Sequence, residues 1–160
     1  MLRKLQQVNL ENIPEGCDFS WTMYFLEAAP FLKEMCITVW DHWCVMETDK
    51  ELRKKLSYCG KEEVKWKPSV SALKHKNLVK LTIYGFQPED YFVRYIRRVA
   101  EVAVNMAEIS LHDRSVCGRC GDLYPKIKAC PSRYPRTAEE RNRTMEELGL
   151  ASPSVVHFRS

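Results

Sequence analysis

At 160 residues, with 45% hydrophobic and 29% charged residues, the chain is long enough for one domain with a real core and too apolar for wholesale disorder. Its 25 basic and 21 acidic residues leave a formal charge of only +4, too weak a bias to mark a nucleic-acid binder. No apolar run reaches the length of a signal-peptide core or a membrane span, so no membrane contact is expected, and seven cysteines without an export signal point to free thiols in a reducing, intracellular setting, cytoplasm or nucleus.

The first ordered pattern is Leu5, Val8 and Leu10 in LQQVNL, apolar-x-x-apolar-x-apolar. Its last two apolar positions predict a short strand with alternate side chains inward. DFSWTMYFLEAAP then predicts a helix, with Ser20 as cap, Trp21, Tyr24, Phe25 and Ala28 on one apolar face, and Pro30 as stop. The strand pattern returns at Leu32, Met35 and Ile37. Residues 40–76 follow as a long insertion with a short helix near 48–57; Trp40, Trp43 and Trp66 lie in or beside it. A third copy, Leu78, Leu81 and Ile83 in LVKLTI, leads to a second helix in QPEDYFVRYIRRVAEVAVN. Pro88 suits its first turn, and Glu89 and Asp90 complement its dipole. Phe92, Ile96, Val99, Ala100 and Ala103 form the buried stripe, with Arg94, Arg97, Arg98 and Glu101 outward. The fourth copy is Met106, Ile109 and Leu111 in MAEISL. Beyond a cysteine-containing loop, Thr137 and Glu140 form a capping box for a helix with little apolar surface, stopped by Gly149. SVVHF at 154–158 can supply a last strand.

The four patterns start 27, 46 and 28 residues apart. Two intervals fall within the leucine-rich repeat period, and the third equals one period plus about 19 residues. The fold expected is therefore α/β, a short irregular leucine-rich repeat solenoid with parallel strands on one face and helices on the other. The consensus Asn or Cys position holds Ile13, Trp40, Phe86 and Arg114, so no asparagine ladder forms. The repeat region covers 1–115, and 116–160 is a C-terminal extension.

SWTMYFLEAAPFLKEMCITVWDHWC, HKNLVKLTIYGFQPEDYFVRYIRRV, YPKIKACPSRYPRTAEE and the closing VVHFRS together resemble the C-terminal leucine-rich region of plant F-box/LRR proteins of the FBD-associated kind. The likeness runs from about residue 5 to the end. In that family an N-terminal F-box docks onto the Skp1-type adaptor of a cullin ubiquitin ligase, and the repeats are expected to present substrates for ubiquitination. No F-box stands in these residues. The resemblance thus implies a protein partner bound by the repeats and no direct binding of the adaptor. Leu5, Val8 and Leu10 begin the repeats without a polar cap, which predicts self-association through that edge.

Cys117 and Cys120 have a zinc-like spacing, and Cys130 with His112 can complete four ligands. Strong zinc signals come as two close pairs, whereas here the second pair would be split across the first. A redox dithiol needs the pair at a helix start, and Gly118, Gly121 and Pro125 oppose one. A plain loop with no metal is expected. The basic stretch of Lys126, Lys128, Arg133, Arg136, Arg141 and Arg143 has only Tyr134 among it and is expected to be a solvated tail. A small zinc- or nucleic-acid-binding domain centred on Cys117, Cys120, Cys130 and this tail is the alternative. His42, His75, His112 and His157 lie in no recognisable nucleophile motif, and no glycine loop cradles a phosphate, so neither catalysis nor a cofactor is expected.

Alternation along the strands defines three outward rows. They are Gln7, Glu34, Lys80 and Glu108; Asn9, Cys36, Thr82 and Ser110; and Glu11, Thr38, Tyr84 and His112, with Trp40 two residues beyond Thr38. Strand faces of solenoids are usual binding surfaces, so Trp40, Tyr84 and His112, supported by Thr38 and Glu11, are the candidate protein-binding residues. The expected function is a non-enzymatic protein-interaction module.

Overall fold

The computed structural model describes residues 2–14, 19–39, 73–114 and 132–159. The expected helix near 48–57, the insertion tryptophans, His42 and the Cys117, Cys120 and Cys130 loop lie outside the described residues. Five strands appear: β1 (Gln7–Ile13), β2 (Glu34–Val39), β3 (Lys80–Tyr84), β4 (Glu108–His112) and β5 (Val156–Arg159). They form one sheet in the order β1-β2-β3-β4-β5, and every neighbouring pair is parallel. Three α-helices accompany them among the described residues: α1 (Tyr24–Ala28), α2 (Asp90–Val102) and α3 (Ala138–Leu148). The protein is α/β, as its strand and helix periodicities predict.

Alternation sets the two faces. Val8, Met35, Leu81, Ile109 and Val156 share one register level, and Leu10, Ile37, Ile83, Leu111 and Phe158 another. Most of these are fully buried against Phe19, Met23, Leu26, Phe92, Ile96 and Val99 from the helical segments, so the core lies between the sheet and one helical layer. Phe19 is its aromatic hub, 5.2 Å from the Phe92 ring and 5.5 Å from that of Tyr95. The buried Tyr95 hydroxyl accepts from Thr22 at 2.8 Å and donates to the Met35 sulfur at 3.1 Å, which satisfies it without water.

The backbone repeats as the apolar pattern does. Lys33 and Glu34 N–H both donate to the Gln6 carbonyl, Val79 and Lys80 to Lys33, and Ala107 and Glu108 to Val79. One turn earlier, Leu5 N–H donates to Leu2, Leu32 to Ala29 and Met106 to Ala103. In the remaining copy the acceptor is a side chain: Leu78 N–H donates to His75 Nδ1 at 2.9 Å. Nε2 must then carry the hydrogen, and it reaches the Ala29 carbonyl at 3.1 Å. His75 is thus a buried structural link between two copies.

Two sequence expectations fail in the first helical segment. Ser20 does not cap a helix; a 3-10 turn, Ser20–Met23, precedes α1, and no side-chain cap bond is made. Trp21 and Tyr24 are 41% and 57% exposed, while Thr22, Met23, Leu26, Ala28 and Ala29 are buried. A 3-10 turn advances three residues per turn instead of 3.6, which rotates the buried face away from the one α-periodicity assigns. In α2 the expected stripe is buried apart from half-buried Ala100, and Val93, Tyr95 and Val102 join it. Pro88 precedes the N-cap Glu89 and so stands outside the first turn.

At the C-terminal end, Thr137 and Glu140 form the full capping box and Gly149 ends α3 in the left-handed conformation. Only Thr144 and Leu148 of this helix are buried. Polar ties supplement that small contact: Arg97 Nε donates to the Leu148 carbonyl at 2.9 Å, and its Nη2 donates to that of Glu147. No described helix is long and apolar enough to cross a membrane.

Candidate functional site

The sheet face turned away from the helices carries the polar residues. The structure brings Thr38, Tyr84 and His112 into one register row across β2, β3 and β4, and Arg159 of β5 extends it. Glu11 departs from this row. Between the Leu10–Ile37 and Ile13–Val39 pairs the register shifts, so Glu11 and Asn12 stand opposite Thr38 alone, with Asn12 at φ 56°. An extra residue in a strand breaks strict alternation, and Glu11 is exposed beside the row instead of within it. Trp40 lies outside the described residues. Arg159 was missed because the sequence pattern stops at Phe158; one more step of the same alternation places it outward.

Tyr84 and His112 lie face to face, with ring centroids 4.3 Å apart and planes 31° from parallel. Ser110 Oγ and His112 Nε2 are 2.9 Å apart, a hydrogen bond along the strand. Glu108 is shared by two cations, Lys80 Nζ at 3.5 Å and an Arg159 guanidinium nitrogen at 3.8 Å. Between these groups sit the small Thr82 and Ser110, only 9% and 3% exposed on an otherwise polar face. The larger side chains on either side of them along each strand account for that burial.

Electrostatics follow from the same neighbours. Burial pushes the His112 pKa below its ordinary value, Arg159 and Lys80 push in the same direction, and Glu108 opposes them. The half-buried Cys36 thiol is raised, chiefly by burial and then by the Glu11 carboxylate, with Lys80 opposing. Cys36 is a free thiol. Among the described residues no group of three His, Cys, Asp or Glu side chains could hold a metal ion.

The end of the face is pinned from behind. The buried Tyr134 hydroxyl lies 2.9 Å from the Leu111 carbonyl and 3.0 Å from that of Arg159, so one side chain ties the ends of β4 and β5. Asp113, one residue past His112, accepts from the Arg114 N–H at 2.8 Å, the Ser132 hydroxyl at 2.5 Å and the Arg136 guanidinium at 2.7 Å. Burial opposes its ionisation, but these donors outweigh that and hold the carboxyl below its usual range. Sequence reading placed Arg136 in a solvated tail; the structure uses it to fix the segment following β4. The face therefore offers an aromatic stack, a hydroxyl–imidazole pair and a carboxylate bridged by two cations, all on rigid strands.

Comparison with protein-family models, with curated proteins and with solved structures finds no match to any of them.

Proposed function

We propose that the chain is a non-enzymatic protein-interaction module, a short irregular leucine-rich repeat solenoid that binds a protein partner on the outward face of its sheet. The observation that carries this reading is the row Thr38, Tyr84, His112 and Arg159, standing in register on four adjacent parallel strands. Rigid aromatic and Arg side chains grouped at the centre of a surface are the usual anchors of protein interfaces. The recurring backbone bonds from Gln6, Lys33 and Val79 support the solenoid reading, because each copy repeats the same stacking contact with the next. The sequence resemblance to the substrate-recognition part of an F-box/LRR subunit makes a substrate for ubiquitination the partner to seek, with no direct contact to the Skp1-type adaptor.

The test is site-specific photocrosslinking in cell extract. A photoreactive residue at position 84 is expected to capture a discrete protein that the same residue at position 94, exposed on α2, does not. Equal capture at both positions, or none at 84, would overturn the reading.

A further inference from the structure

We infer that the docking face receives an extended acidic peptide segment, one of whose carboxylates sits between Lys80 and Arg159 beside the Tyr84–His112 stack. This rests on the docking reading above and names the class of partner. Lys80 and Arg159 share a single counter-charge, since Glu108 gives Oε2 to one and Oε1 to the other at 3.5 and 3.8 Å. Both contacts are long for charge-assisted bonds, and the two cationic side chains are 40% and 54% exposed. One positive charge is thus in excess here, with His112 in the same row as Arg159 and His157 in register with Ser110. Depression of the His112 pKa by Arg159 and Lys80 reports the same positive field.

Charge at the opposite end of the face has the other sign. Glu34 and Glu11 are exposed on β2 and β1. A long polyanion such as RNA would be repelled there, whereas a short segment with its acidic residue over β3–β5 is oriented by the gradient. Crossing four strands means spanning roughly 14 Å, which about four or five extended residues cover. Alternate side chains of such a segment would point down, one toward the aromatic stack and one toward the cations.

The experiment uses the full chain to select from a phage-displayed random heptapeptide library. Enrichment of Asp and Glu over Lys and Arg is expected. Synthetic copies of the selected peptides should bind about tenfold more weakly to the Lys80→Gln, Arg159→Gln double variant. That variant's unfolding midpoint should match the parent's. No enrichment, or enriched peptides without acidic bias, overturns the inference. Binding that falls with Tyr84→Ala but ignores the two charges removes the acidic partner and leaves the docking face standing. Binding indifferent to all three substitutions removes both.

Discussion

Gly85 leaves β3 with φ +76°, and a β-carbon there would stand 1.9 Å from the Val39 carbonyl oxygen. Conformation and space both require glycine. Gly85→Ala should cost about 2–4 kcal/mol, read as a lower urea midpoint with an unchanged slope. His112 makes a different kind of prediction. Its imidazolium is disfavoured by burial first, then by Arg159 and Lys80 against the opposing Glu108. The folded pKa therefore lies below the unfolded value. Its contribution to stability is whole above about pH 6.5 and is lost as the pH falls through the folded pKa. Followed by imidazole NMR, the His112 titration should move up in Arg159→Gln and down in Glu108→Gln; shifts of the opposite sign would contradict the arrangement. Thr38, Tyr84 and His112 were legible in the sequence because alternation along a strand is a local rule. Glu11 was misplaced because nothing local in QVNLENI announces the bulge at Glu11 and Asn12.

Most strands and two of the three helices could be read from short-range signals. The capping box of α3 is the clearest case, since Thr137 accepts from the Glu140 N–H at 3.2 Å and the Glu140 carboxylate accepts from the Thr137 N–H at 2.9 Å. Thr137→Ala should cost about 1 kcal/mol, measured as a shift in the denaturation midpoint. No shift would mean that α3 contributes little to the cooperative unit. The first helical segment resisted reading because its four-residue 3-10 turn and five-residue α1 are too short for periodicity to fix a phase. There the aromatic Phe19 decides the packing, through rings from α2 far along the chain.

Across the molecule, spacing alone carried the order of four parallel strands, because equal intervals between like patterns imply like units. Spacing could not show that His75 replaces a backbone carbonyl in the third copy, nor that Arg159 completes the outward row. Those depend on contacts between distant segments, such as Tyr134 bridging Leu111 and Arg159. The central claim is that this face binds a protein while the opposite face makes the core. The most direct measurement compares Tyr84→Ala with the parent chain in two readouts, affinity for the protein captured at position 84 and the unfolding midpoint. A loss of about 1–2 kcal/mol or more in binding is expected, with the midpoint nearly unchanged. A collapsed midpoint with affinity per folded molecule intact would show Tyr84 to be a core residue and would contradict the account.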